Sequence, residues 1–107
     1  AVHRGVLAIG LRGEQGTPEA LIAALPERAL VAVGIGLANH DNMGGLFRNA
    51  AAFGADAVLL DATSCDPLYR KAIRVSVGAA LVTPFVRYGS AEAILTALER
   101  AGFTCFA

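Results

Sequence analysis

Short apolar runs alternate with amphipathic stretches along the chain. Residues 6–9 form an apolar run closed by Gly10 and predict a first strand. Residues 12–17 carry turn chemistry. Thr17 then caps a short helix with Pro18 at its first position and Leu21, Ile22 and Leu25 as its apolar set, and Pro26 stops it. Residues 30–37 read as a buried strand with β-branched Val31, Val33 and Ile35. A loop over 38–41 follows. Residues 42–53 have helical spacing, with Asn42 as the cap, Leu46, Phe47, Ala50 and Phe53 on the apolar side, and Gly54 at the C′ position. Residues 57–61 predict the next buried strand. Asp66-Pro67 opens a helix over 68–75, and residues 82–88 read mostly as strand. Ser90 caps a helix over 91–101, with Ile94, Leu95 and Leu98 inward and Gly102 closing it. Residues 103–106 predict a last strand.

Strands that alternate with helices imply an α/β fold, a parallel sheet with helices on both faces and right-handed crossovers. Ligands of open parallel sheets bind beyond the carboxyl ends of the strands. By that rule Ala107, just after the last expected strand, is placed at the lip of a ligand site whose remaining wall is missing.

Composition narrows the class. The 107 residues are 55% hydrophobic and 17% charged, enough for one small core, so residues 1–107 are expected to be a single domain or part of one. No apolar run approaches the roughly 20 residues of a spanning helix, and no membrane association is expected. Nine basic residues balance nine acidic ones, which excludes a generally basic nucleic-acid binder but not a local basic patch. Cys65 and Cys105 form no C-x-x-C or Cys/His cluster, so no metal is expected, and both read as small buried apolar residues. With no apolar leader and no initiating Met, the chain reads as a cytoplasmic, reduced protein trimmed from a longer one.

The stretch Asn39-His40-Asp41-Asn42-Met43-Gly44-Gly45-Leu46-Phe47-Arg48-Asn49 is the richest in chemistry. It follows a buried strand and runs into a helix. Two early helical glycines cost roughly 1 kcal/mol each against alanine, so something must compensate. Close approach of a substrate backbone is one candidate, and packing against another chain is the other. The plain alternative is a capped helix with a solvated Arg48.

The run from Asn42 to Ala50 resembles the first signature motif of the SpoU/TrmH-type RNA ribose methyltransferases, members of the knotted SPOUT class. The likeness continues through Ala51-Ala52-Phe53-Gly54-Ala55-Asp56, the strand Val58-Leu59-Leu60, and the block from Asp66 to Ala79. It covers about residues 6–107. The resemblance implies transfer of a methyl group from S-adenosylmethionine to a ribose 2′-hydroxyl of tRNA or rRNA, a homodimer and a C-terminal trefoil knot. It puts the family's motif Asn on Asn42 and its motif Arg, commonly assigned as proton acceptor, on Arg48. The family's later Gly-rich loop with a Glu and its Ser/Asn segment have no counterpart in these residues. The chain therefore reads as the Rossmann-like first half of a SPOUT catalytic domain, without the knot and inactive alone.

A guanidinium has five donors and no acceptor, so Arg48 suits a phosphate or developing negative charge on the ribose oxygen better than a proton. Arg70, Lys71 and Arg74 are the one basic cluster, with Arg70 and Arg74 one helical turn apart. They are candidates for RNA phosphate contact, against a merely solvated face. His40 is a general base by residue type, though a loop histidine beside a helix cap is the commoner outcome. Asp61, at a strand end, reads as a ribose-binding carboxylate or as the cap of the next turn.

Two rivals stand beside this reading. Gly34-x-Gly36 with Asp61 downstream suggests a dinucleotide-binding half, but Asn39 takes the third glycine's place. The other is a non-catalytic RNA-binding or dimerisation module.

Overall fold

The computed structural model describes residues 10–107, so the strand expected over 6–9 lies outside the described residues. The elements run α1 (Pro18–Ala23), β1 (Val31–Gly34), α2 (His40–Ala52), β2 (Ala57–Leu60), α3 (Arg70–Val75), α4 (Ala79–Val82), β3 (Phe85–Arg87) and α5 (Ala91–Arg100). The three strands form one parallel sheet in the order β1-β2-β3. Val31 pairs with Ala57, and Val58 with Phe85.

Every residue of β2 is buried, as a central parallel strand requires, and its side chains alternate between two layers. Val58 and Leu60 pack with Met43, Phe47 and Ala50 of α2, Ala72 of α3 and Ala80 of α4. Leu59 points the other way, onto Ile94 and Leu98 of α5, with Leu21 and Ile22 of α1 beside them. Helices therefore cover both faces, as the alternation predicts.

Local chemistry explains most boundaries. The Thr17 hydroxyl accepts from the Ala20 N–H at 3.1 Å and the Ser90 hydroxyl from the Ala93 N–H at 3.1 Å, so both expected caps form. Gly54 (φ 77°) and Gly102 (φ 92°) take the left-handed conformation where α2 and α5 end.

Several expectations are corrected. The strand predicted over 82–88 begins only at Phe85. Ahead of it, Val77 (φ 56°) and Gly78 (φ 83°) make a left-handed corner that starts the short helix α4. Residues 103–106 are not a strand; Phe103 packs under α5 and the rest is exposed. Phe53, expected inward, is the C-cap residue of α2 and is 80% exposed. Leu95 is also exposed.

Candidate functional site

The carboxyl ends of the three strands carry three loops, and side chains knit them together. Asp61, directly after β2, is almost fully buried. It accepts hydrogen bonds from the Gly36 N–H at 2.9 Å, the Ser64 hydroxyl at 2.6 Å and the Thr63 hydroxyl at 2.5 Å. Burial pushes its pKa up, but the hydrogen bonds from Ser64, Thr63 and Gly36 outweigh that and hold it at about 2. The Ser64 hydroxyl also accepts from the Leu37 N–H at 3.1 Å, and Arg87, at the end of β3, donates through Nη1 to the Ser64 carbonyl at 3.0 Å. Backbone bonds from Cys65 to Leu37 (2.7 Å) and from Ala62 to Gly89 (2.8 Å) complete the rim.

Asp61 is thus a latch on the loop after β1. Both carboxylate oxygens are engaged, so it does not fit the ribose-binding role. Ser64 and Arg87 are the residues that sequence reasoning missed. The signal was present in Asp61-x-Thr63-Ser64, a carboxylate followed by hydroxyls two and three positions on, which is turn-forming chemistry.

The latched loop delivers the chain into α2. Here Asn39, not Asn42, is the cap. Its backbone is extended and its Oδ1 accepts from the N–H groups of Asp41 (2.7 Å) and Asn42 (3.2 Å). The helix starts earlier than expected because Asn39 already has the extended backbone a cap needs. That leaves the Asn42 side chain exposed in the first turn. Arg48 lies lower on α2, also exposed, and no ion pair or hydrogen bond among the described residues engages it. Asn42 and Arg48 are six positions apart, about 9 Å along the axis and on different sides of the helix. They do not converge on one point within these residues.

The two glycines separate in role. A β-carbon on Gly44 would stand 2.6 Å from Cβ of Val75 and 2.8 Å from the Ala72 carbonyl, so Gly44 lets α3 press against α2 within the same chain. A β-carbon on Gly45 would meet nothing within 4 Å. Gly34 is equally crowded, with Leu37 at 2.7 Å and Leu60 at 2.9 Å, while Gly36 (φ 64°) turns the loop. The Gly34-x-Gly36 pair therefore has packing and turning duties that account for it without a dinucleotide.

Arg70 and Arg74 are exposed on α3, as expected, whereas Lys71 turns back to Asp41 of α2 at 3.5 Å. His40 stacks on Tyr69, with centroids 4.3 Å apart. Cys65 is half-buried, and burial pushes its thiol pKa up; Cys105 is exposed, contrary to expectation. No metal-holding group of His, Cys, Asp or Glu occurs among the described residues. No helix among them is long and apolar enough to cross a membrane.

Ala107 is also misplaced by the sequence reading. Residues 104–106 line a cavity together with residues 27–31, on the approach to β1, and Ala107 is exposed beyond them. The chain reaches the entry of β1 because residues 103–106 do not join the sheet. Asp61 is thus engaged and Ala107 lies away from the carboxyl rim, so neither takes the ligand-binding place expected of it.

The motif-bearing stretch thus sits on a latched loop and its helix, at the carboxyl rim of a parallel sheet. A model of the SpoU rRNA Methylase family matches residues 29–107. The chain belongs to this family. An uncharacterized tRNA/rRNA methyltransferase of Mycobacterium tuberculosis (strain ATCC 25618 / H37Rv) is 41% identical over 107 residues, covering 99% of this chain and 36% of the relative. The 23S rRNA (guanosine-2′-O-)-methyltransferase of Coxiella burnetii is 32% identical over 106 residues, covering 94% of this chain and 41% of the relative. Among solved structures, the SpoU methyltransferase AviRb of Streptomyces viridochromogenes in complex with AdoMet superposes with a TM-score of 0.63 at 25% identity, over 72% of this chain and 30% of that one. The AdoMet-bound rRNA methyltransferase of Sinorhizobium meliloti, at 19% identity, shares the fold, with a TM-score of 0.66 over 82% of this chain and 33% of that one. The chain thus spans well under half the length of these SpoU-family relatives.

Proposed function

We propose that the protein carrying this chain transfers a methyl group from S-adenosylmethionine to a ribose 2′-hydroxyl of tRNA or rRNA. The observation that carries this is the SpoU family match over residues 29–107, with Asn42 and Arg48 on the helix that leaves the carboxyl rim of β1. The 2′-O specificity named for the Coxiella relative supports the choice of atom.

In this reading Arg48 is the catalytic residue contributed by these 107 residues. Its guanidinium, unengaged within the described chain, grips the phosphate beside the target ribose and stabilises negative charge growing on the 2′-oxygen. Asn42, freed from capping by Asn39, offers a neutral amide to the same backbone. Arg70 and Arg74 supply outer phosphate contacts, and Lys71, held by Asp41, contributes less. The cofactor supplies the methyl group, and its pocket requires residues beyond those described. A cytoplasmic homodimer, with residues 1–107 forming part of one catalytic domain, belongs to the same reading.

The test uses the full-length protein, methyl-labelled S-adenosylmethionine and unmodified tRNA and rRNA. Label recovered in ribose-methylated nucleotides after nuclease digestion is expected. Label on a base, or none, overturns the proposal. Sedimentation of the same sample at twice the monomer mass checks the dimer.

A further inference from the structure

His40 is the first residue of α2, and Tyr69 is the residue immediately before α3. Their rings lie 4.3 Å apart, tilted by 31°. Deeper along the same pair of helices, Asp41 meets Lys71 and Gly44 admits Ala72 and Val75. The two helices therefore start side by side, and the aromatic pair occupies their shared starting end, beside the loops that follow β1 and β2.

Packing does not require Tyr69 there. It belongs to neither apolar cluster, and it remains 54% exposed with His40 on one side. The flat ring thus has the His40 ring against it and about half of its surface open. Exposed Arg70 is its chain neighbour, and exposed Asn42 lies two residues beyond His40 on α2. An open ring followed in the chain by an exposed cation matches a nucleotide in two ways, taking the flat face of the base and the anionic phosphate. RNA bases splayed from single-stranded segments are recognised by stacking on such rings.

We propose that Tyr69, backed by His40, is a stacking platform for a nucleobase of the RNA substrate, with Arg70 meeting the adjoining phosphate. This rests on the RNA reading above and adds a contact that the family match does not assign. Tyr69 is then a binding residue, and its loss raises KM for RNA with little change in kcat.

The test compares the full-length protein with Tyr69→Ala, Tyr69→Phe and Tyr69→Trp. One stacked base is worth between about 5- and 150-fold in affinity. Tyr69→Ala is expected to weaken binding of unmodified tRNA and rRNA by about tenfold, while Tyr69→Phe stays close to the parent. Emission of the new indole in Tyr69→Trp, taken against the parent, is expected to be quenched by a single-stranded RNA of about 16 nucleotides. This measurement decides the matter if Tyr69→Ala does not fold. Parent-like affinity in a folded Tyr69→Ala, or emission unmoved by bound RNA, overturns the platform and leaves the methyltransferase reading intact. A parent protein that binds no RNA overturns both.

Discussion

A β-carbon at Gly44 of α2 would stand 2.6 Å from Cβ of Val75 on α3, closer than two carbon atoms can approach. The helices that frame the candidate site are therefore in contact through a missing side chain. Gly44→Ala is expected to destabilise the protein by about 1–3 kcal/mol through overpacking. Gly45→Ala meets open space and should be neutral or stabilising by up to about 1 kcal/mol. Denaturant melts of the two variants check this, and equal effects would contradict the assignment.

Asn39 and Asn42 should differ in the same way. Asn39→Ala removes the acceptor for two N–H groups and should cost about 1 kcal/mol. Asn42→Ala should leave the melting temperature unchanged while lowering methyl transfer by the full-length enzyme. The reverse pattern would return the cap to Asn42.

For Asp61 the prediction concerns pH. Its folded pKa of about 2 lies below its ordinary value of 3.8. The carboxylate therefore stabilises the fold fully above pH 3.8, and that stability is lost as pH falls from there towards 2. Asp61→Asn should remove this slope from the stability profile. At neutral pH it should also cost about 1–3 kcal/mol by weakening the bonds to Gly36, Thr63 and Ser64. A variant with the parent's acid slope would show that other carboxylates carry it.

Arg48 is exposed and has no ion pair or hydrogen bond among the described residues, so Arg48→Ala should leave the fold and the melting curve as they were. Methyl transfer should fall by at least about 100-fold, the usual scale for losing one group that stabilises developing charge. Arg48→Lys keeps the charge but not the two-pronged geometry, and should recover only part of the rate. Near-parent turnover by Arg48→Ala would remove it from the mechanism.

The basic cluster is divided by the Asp41–Lys71 ion pair. The double variant Arg70→Ala, Arg74→Ala should reduce the slope of log affinity against log salt by about 1.4, two single-strand phosphates' worth. Lys71→Ala should reduce it by less than either arginine. Titrations of RNA at several salt concentrations read this directly.

Much of the fold was legible because its local signals agreed with its packing. Thr17 and Ser90 cap as their types predict, Gly54 and Gly102 close their helices, and β2 is buried along its whole length, as its unbroken apolar run implies. The failures have distinct causes. Asn39 and Asn42 are equally good caps by type, and only the backbone at Asn39 decides between them. Residues 82–88 look like one apolar strand, but the left-handed corner at Val77 and Gly78 starts α4, which takes Val82, and the strand begins only at Phe85. A β-branched residue in that conformation is foreseen by no propensity. Residues 103–106 have strand composition without pairing, because pairing depends on neighbours rather than on local type. Asp61 was noticed as chemistry, yet its role depends on Gly36, 25 positions away in sequence, and a pairing at that distance leaves no local pattern.

The sheet order has a kinetic side. Each strand pairs with the next strand in the chain, and the helices between them fold back onto the face they bridge. Each strand pairing therefore closes a single crossover, from Val31 to Ala57 and from Val58 to Phe85, and neither needs a strand made later than its neighbour. During translation β1 can capture β2, and β2 can capture β3, in the order in which they leave the ribosome. The rim from which α2 departs, with Asn42 in its first turn, would then be assembled early, whereas α1 can pack on Ile94 and Leu98 only after α5 has been made.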